Sequence, residues 1–161
     1  MNNIFVTAIG TDSGKTMISA ILCEALRAPY WKPIQAGYPR DTETVASLVS
    51  GKDFKTFPER YLLKTPASPH AAAKIDGVDI NLKDFKVPGN EQTVIEGAGG
   101  CLVPINDHDF VIDIAAHLGC DIVLVSNLYL GSINHTLLTL QLLQNRKLPV
   151  KGIIFNGLSN P

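Results

Sequence analysis

The chain has 161 residues, of which 45% are hydrophobic and 18% charged, and 14 Lys and Arg against 15 Asp and Glu give a formal net charge of −1. This length and composition are typical of one globular domain and exclude a disordered tail protein. The near-zero charge creates no overall field for nucleic acid or an anionic membrane. Any bound anion must therefore be held by a local site.

The cysteines and apolar segments indicate where such a protein would work. Cys23, Cys101 and Cys120 are odd in number, far apart and outside CxxC spacing, which is typical of a reducing compartment and not of a disulfide framework or zinc site. The N-terminus lacks the pattern of a signal peptide, and the longest uncharged stretch, residues 122–145, is too polar to span a membrane. We expect a cytoplasmic protein with no nucleic-acid or membrane partner.

Short apolar runs alternate along the chain with segments of helical spacing. In chain order, the pattern predicts a strand at 4–8, a helix from 16 to 26, a strand at 30–33, a helix at 42–49, a short helix at 69–75, a strand at 93–96, a helix at 110–118, a strand at 122–125, a helix at 132–145 and a strand at 152–156. Residues 52–89, with four prolines, give no clear prediction beyond the helix at 69–75. This order predicts one α/β domain over residues 1–161, a mostly parallel open sheet with helices on both faces.

The first strand leads through Ala8-Ile9-Gly10-Thr11-Asp12-Ser13-Gly14-Lys15-Thr16 into a helix. Gly-Lys-Thr between a buried strand and a helix N-terminus is typical of a loop whose backbone N–H groups cradle phosphate. In such a P-loop, Lys15 reaches the β- and γ-phosphates and the Thr16 hydroxyl helps to hold Mg²⁺. The common spacing has glycine where Ile9 stands, so the match is incomplete. A helix start that happens to carry Lys and Thr is the alternative.

Two charged residues come next. Lys32 closes the second predicted strand and precedes Pro33. At that position its ammonium could be a second cation over a transferred phosphoryl group. The ordinary alternative is a lysine on the surface, in contact with water. Asp41 stands just before a predicted helix. It is either the N-cap of that helix or a carboxylate ligand of Mg²⁺, and the two roles are compatible.

Glu96 ends a buried strand and leads into Gly97-Ala98-Gly99-Gly100. A carboxylate is costly to bury unless it meets a cation, and the acid at this place in P-loop proteins faces the magnesium ion. We therefore favour a functional Glu96 over a solvated turn acid, and the glycines would let the backbone approach a ligand closely. Further on, Gly131-Ser132-Ile133-Asn134-His135 opens the last long helix, whose free N–H groups could hold a carboxylate; capping by Ser132 is the alternative.

Taken together, these motifs resemble those of the dethiobiotin synthetases, ATP-dependent cyclo-ligases of the biotin pathway. The matching segments, in family order, are Phe5-Val6-Thr7 with Gly14-Lys15-Thr16, Lys32-Pro33-Ile34-Gln35 with Gly37, Asp41, Ser68-Pro69-His70, Glu96-Gly97-Ala98-Gly99-Gly100 with Pro104, Gly131-Ser132-Ile133-Asn134-His135, and Asn156. They span almost the whole chain. The Lys-Pro-Ile and Glu-Gly-Ala-Gly-Gly motifs are together far more specific than a phosphate loop alone.

The resemblance implies an ATP- and Mg²⁺-dependent enzyme that carboxylates 7,8-diaminononanoate with CO2 and closes a cyclic urea through a carbamic–phosphoric anhydride, releasing ADP and phosphate. It implies catalytic roles for Lys15, Lys32 and Thr11, and a magnesium site at Thr16, Asp41 and Glu96. The implied nucleotide-binding residues are Asp12, Ser13, Gly14, Lys15, Thr16, Glu96, Gly99 and, at the adenine edge, Asn156. The implied substrate-binding residues are Thr11, Lys32, Ala36 and, for the tail carboxylate, Gly131, Ser132, Ile133 and Asn134. Because the family completes that last site across a two-fold axis, the resemblance also implies a homodimer.

Two positions depart from the family pattern. Ala36 stands where Ser or Thr is usual, which removes a hydroxyl contact to the substrate, and Asp12 stands where a longer Glu is often found.

Three other functions compete. A cobyrinic-acid-type amide synthetase needs an ammonia source for which 161 residues have no room, and a partition-type ATPase switch typically has a second lysine early in its phosphate loop, where this chain has Ile9-Gly10-Thr11. The third is a shortened nucleotide-binding relic without turnover.

Overall fold

The computed structural model describes residues 2–157 of the chain. Along these residues the elements are β1 Ile4–Ala8, α1 Lys15–Leu26, β2 Tyr30–Trp31, β3 Ile34–Ala36, α2 Asp41–Leu48, β4 Thr56–Phe57, β5 Tyr61–Leu63, α3 Pro69–Asp76, a 3-10 turn Leu82–Asp84, β6 Val94–Glu96, α4 Val111–His117, β7 Asp121–Asn127, α5 Ser132–Asn145 and β8 Val150–Asn156.

Six strands form the main sheet in the order β4-β2-β6-β1-β7-β8, and every pair in it is parallel. β1 lies inside the sheet, where Phe5 pairs with Ile95 of β6 and with Ile122 of β7. The expected α/β fold with a parallel open sheet is therefore confirmed. In such a sheet the carboxyl ends of the strands share one edge, which is where open α/β folds bind ligands.

Helices cover both faces of this sheet because its strands are apolar on both sides. Phe5, Ile95 and Ile122 pack on one face together with side chains from α3, α4 and α5. Val6 and Val125 pack on the other face against α1 and α2. Full burial of a side chain of this size stabilises the fold by about 1.5–3 kcal/mol, so β1 is anchored from both sides.

The least predictable segment, residues 52–89, contains short elements. β5 pairs with β3 in a separate two-stranded parallel sheet, which the sequence did not predict. The predicted strand is wrong beyond Trp31: β2 stops there, and β3 begins at Ile34 after Lys32 and Pro33. The helix predicted at 69–75 is present as Pro69–Asp76.

Within residues 2–157, the helices are too short or too polar to cross a lipid bilayer.

Candidate active site

The phosphate loop turns sharply between β1 and α1. Ile9 still belongs to the sheet ladder, since its N–H donates to the carbonyl of Val125 at 3.1 Å. The turn therefore begins at Gly10, which explains why Ile9 can replace the usual glycine. Asp12 and Gly14 have left-handed backbones, with φ of 56° and 90°, and Gly14 precedes the first residue of α1.

Lys15 lies folded over this turn and is 7% exposed. Its Nζ donates to the carbonyl of Gly10 at 3.2 Å. Burial, and then the nearby charge of Lys32, lower the pKa of Lys15 from its ordinary value. The ammonium is thus poorly solvated in the free protein, and an anion beside it would be strongly favoured.

The three residues predicted to hold magnesium lie together, and Lys32 joins them. The Nζ of Lys32 is 2.5 Å from Oδ2 of Asp41 and 2.8 Å from Oε1 of Glu96. The same Glu96 oxygen accepts a hydrogen bond of 3.1 Å from the hydroxyl of Thr16. Lys32 is 4% exposed and Glu96 1%, so the solvated-lysine alternative for Lys32 is wrong.

The charges in this cluster stabilise one another. Burial by itself lowers the pKa of Lys32, but the carboxylates of Glu96 and Asp41 outweigh it and hold the pKa above its ordinary value. Glu96 is further fixed by the hydroxyl of Tyr30, which donates to Oε2 at 2.9 Å. Because a removed partner would leave a buried charge uncompensated, the cluster is sensitive to any single deletion.

These oxygen donors fit a magnesium ion. Within residues 2–157, no group of three or more His, Cys, Asp and Glu side chains converges as a complete protein metal cage. Mg²⁺ does not need one, because it usually takes one or two carboxylates and fills its other positions with water and substrate phosphates. Asp41, Glu96 and the Thr16 hydroxyl, beside a phosphate loop, supply that kind of partial set.

Asp41 is the first residue of α2, and the N-cap position belongs to Arg40. The N-cap alternative for Asp41 is therefore wrong. Its backbone N–H donates to Oε1 of Gln35 at 3.1 Å, while Nε2 of Gln35 donates to the carbonyl of Gly37 at 3.1 Å. The buried Gln35 amide thus holds the turn that carries Asp41 towards Lys32.

A cavity of about 420 Å³ opens beside the cluster. Five residues singled out from the sequence line it: Thr11, Lys32, Ala36, Asp41 and Gly99. Gly99 has a φ of 66°, and a Cβ there would lie 3.6 Å from the Thr11 hydroxyl and 2.8 Å from Val103. The glycine keeps the wall of the cavity open next to Thr11.

The start of α5 is separate from this cavity. Gly131, Ser132, Ile133 and Asn134 are not among the residues that line it. Gly131 occupies the N-cap position with a φ of 101°, and no side chain caps the helix. The Ser132 capping alternative is therefore wrong.

Asn156 ends β8 and touches the phosphate loop. Its Nδ2 donates to the carbonyl of Ser13 at 2.9 Å, and a Cβ on Gly14 would lie only 2.0 Å from that nitrogen. The expected contact of Asn156 with adenine stays a prediction, while its contact with the loop backbone is a feature that sequence reasoning did not provide.

Tyr30, Gln35 and Asn127 also escaped the sequence analysis as site residues. Asn127 ends β7, and its Oδ1 accepts a hydrogen bond of 2.8 Å from the hydroxyl of Ser13. Asn127 carries the signal that identified Glu96, a polar residue at the carboxyl end of a buried strand. It was missed because the strand was predicted to end at Val125.

Comparisons with known proteins agree on one family. A family model described as an AAA domain matches residues 2–161. Three curated relatives are each named ATP-dependent dethiobiotin synthetase BioD. The relative from Cytophaga hutchinsonii is 53% identical, and the match covers 99% of this chain and 79% of the relative. The relative from Christiangramia forsetii is 49% identical, with 98% of this chain and 77% of the relative covered. The relative from Brucella ovis is 43% identical, with 99% of this chain and 76% of the relative covered.

A solved structure shares the fold. The kinase domain of the Escherichia coli tyrosine kinase ETK superimposes with a TM-score of 0.51, covering 98% of this chain and 68% of that one at 18% sequence identity. At that identity the likeness concerns the P-loop type of fold alone.

Proposed function

We propose a mechanism from one premise: the chain belongs to the family of ATP-dependent dethiobiotin synthetases and is an ATP-dependent ligase of biotin biosynthesis. Its substrates are 7,8-diaminononanoate, CO2 and ATP. One amine takes up CO2 and loses a proton to become a carbamate. A carbamate oxygen then attacks the γ-phosphorus of ATP and expels ADP, and the second amine attacks the carbonyl carbon, expelling phosphate and closing the cyclic urea.

No enzyme nucleophile is needed because the carbamate attacks the phosphorus itself. The chain has to position reactants and offset charge on the phosphoryl oxygens. In our proposal Lys15 binds the β- and γ-phosphates, and Lys32 offsets charge on the transferred group. The observation that carries this proposal is the position of Lys32 beside the cavity and within 2.8 Å of Glu96.

Thr16, Asp41 and Glu96 would hold Mg²⁺, which when bound supplies positive charge to the phosphate oxygens. Lys32 has a second task in the free protein, because it keeps two carboxylates together that would otherwise repel each other. The hydroxyl of Tyr30 fixes the orientation of Glu96. The ligand set is therefore arranged before any nucleotide arrives.

The cavity beside the cluster would hold the diamine end of the substrate. Thr11 lines the cavity with a hydroxyl-bearing side chain, and Ala36 lines it with a methyl group where the family usually has a hydroxyl. Asp12, Ser13, Gly14 and Gly99 would contribute backbone contacts to the nucleotide. Asn156, on the loop backbone, would stand at the edge of the adenine site.

We further propose a homodimer through the face that surrounds the start of α5. Seven large apolar side chains of the described residues are exposed there or nearby, among them Leu130 at 102% and Ile133 at 78%. The seven are Leu128, Tyr129, Leu130, Ile133, Leu137, Leu138 and Phe155. A monomer rarely leaves so many apolar side chains in contact with water, and a second copy of the chain would cover them.

This dimer would give Gly131–Asn134 their role. The uncapped first turn of α5 would bind the tail carboxylate of a substrate held in the partner's cavity.

Leu137→Asp should convert the dimer to a monomer in analytical ultracentrifugation. Leu48→Asp, on an exposed leucine of α2, is the matched control and should leave the dimer intact.

The deciding experiment for the activity is product formation from ATP, bicarbonate and 7,8-diaminononanoate with Mg²⁺. We expect dethiobiotin and ADP in equal amounts, and no ADP without the diamine. Lys15→Ala should abolish turnover and weaken ATP binding. ATP hydrolysis that ignores the diamine would instead indicate a switch ATPase, and nucleotide binding without turnover would indicate a relic.

A further inference from the structure

Two asparagines face the phosphate loop from the carboxyl edge of the sheet. Asn127 ends β7 and Asn156 ends β8, and the two residues are register partners in the parallel ladder. Their backbones are therefore fixed relative to each other by the sheet. Groups on such a rigid platform hold a neighbouring loop more firmly than groups on another loop do.

Both asparagine side chains bond to Ser13. Oδ1 of Asn127 accepts from the Ser13 hydroxyl at 2.8 Å, and Nδ2 of Asn156 donates to the Ser13 carbonyl at 2.9 Å. The Ser13 hydroxyl also lies 3.2 Å from the carbonyl of Gly10 across the turn. Ser13 has no exposed surface, and the three bonds are partly buried.

The residue held in this way stands between two loop positions with left-handed backbones. Asp12 has a left-handed backbone that L-residues seldom adopt, and Gly14 has the same hand. A loop with such a backbone needs support from its surroundings to stay in one conformation. A phosphate cradle depends on that conformation, since its backbone N–H groups must converge on the anion.

We infer that Asn127 is a positioning residue for nucleotide binding, which through the Ser13 hydroxyl holds the phosphate loop in its anion-binding conformation. The inference rests on the proposed function, because it assigns the loop to the phosphates of ATP. Asn127 acts on the loop before the nucleotide arrives and equally in the transition state. Its loss should therefore raise KM for ATP and leave kcat within twofold.

The test is ADP affinity by calorimetry, in the presence of Mg²⁺. Asn127→Ala should weaken ADP binding roughly three- to tenfold, the effect of one hydrogen bond between neutral groups. Pyrophosphate, which has no base, should lose affinity by the same factor. Ser126→Ala is the matched control: Ser126 is the preceding residue of the same strand, its hydroxyl bonds to Thr136 at 2.8 Å, and ADP affinity should not change.

A double-mutant cycle separates this role from a general loss of structure. Ser13→Ala removes the same hydrogen bond from the other side, so the double variant Ser13→Ala with Asn127→Ala should bind ADP no more weakly than either single variant. Ser13→Ala also carries the test if Asn127→Ala does not fold. Unchanged ADP affinity in the single variants, or additive losses in the double variant, would overturn the inference. Failure of the unmodified protein to bind ADP would overturn the proposed function as well.

Discussion

Replacement of Lys32 by methionine separates its structural task from its catalytic one. Met keeps most of the apolar stem of the side chain and removes the ammonium that lies between Asp41 and Glu96. Breaking a buried ion pair typically costs about 3–5 kcal/mol. We expect the lower end, about 3 kcal/mol, because Glu96 keeps its hydrogen bonds from Tyr30 and Thr16.

This loss corresponds to a fall in Tm of roughly 6–12 °C for a chain of this length. Mg²⁺ with ADP should restore part of it, since a divalent cation would replace the missing charge between the carboxylates. Catalysis should fall as well: we expect kcat to decrease ~10²-fold or more with ADP affinity nearly unchanged, as for a group that acts on the transition state.

Thermal denaturation with and without Mg²⁺ and ADP, together with steady-state kinetics, measures both effects. Lys55→Met is the control, because Lys55 pairs with Glu91 at 3.3 Å on the exposed surface and such pairs contribute about 0–1 kcal/mol. A Lys32→Met protein with kcat within threefold of the unmodified protein would refute the catalytic role. An unchanged Tm would refute the structural one.

Three further predictions concern single side chains. Tyr30→Phe should raise the Mg²⁺ concentration that gives half-maximal activity several-fold, whereas Tyr61→Phe, which removes a comparable 2.6 Å bond to a carboxylate outside the cluster, Asp84, should not. Burial raises the pKa of Glu59, but hydrogen bonds from Arg40 and Thr42 outweigh this effect and hold the pKa below its ordinary value. This carboxylate therefore stabilises the fold fully above the ordinary pKa of a glutamate, and its contribution is lost as pH falls through the lowered pKa. Glu59→Gln should therefore cost about 1.5 kcal/mol at pH 7 in urea unfolding, and the difference from the unmodified protein should shrink at lower pH; a constant difference would contradict this. Burial raises the pKa of every cysteine thiol, to about 12 in two of them, so a thiol reagent at pH 8 should label the native protein very slowly and the unfolded protein at three sites. The three sites are Cys23, Cys101 and Cys120.

The regular elements could be predicted because their apolar spacing is strong. The α5 helix has the predicted bounds, Ser132–Asn145, and β1 has the predicted bounds, Ile4–Ala8. The strands β4 and β5 went unpredicted because each has only two or three residues and the surrounding segment, residues 52–89, has four prolines and little periodicity. Their pairing depends on distant partners and not on local pattern.

The cluster of charged residues was predictable for a different reason. Parallel strands bring their carboxyl ends to one edge, so Lys32 after β2 and Glu96 at the end of β6 had to lie close together. The direction of a buried side chain is not encoded in this way. Tyr30 looks like an ordinary core residue in the sequence, and only the three-dimensional arrangement shows that its hydroxyl reaches Glu96.

The place of β1 inside the sheet determines when this protein can fold during synthesis. Ile4 leaves the ribosome well before its two neighbours in the sheet, Val94 and Asp121. Most of the chain must therefore be made before the central strand can gain both of its partners, and contacts so distant in sequence slow the search for the native state. Until then, an apolar strand with two open edges is exposed to other nascent chains, so aggregation of the newly made protein is the main hazard of this topology.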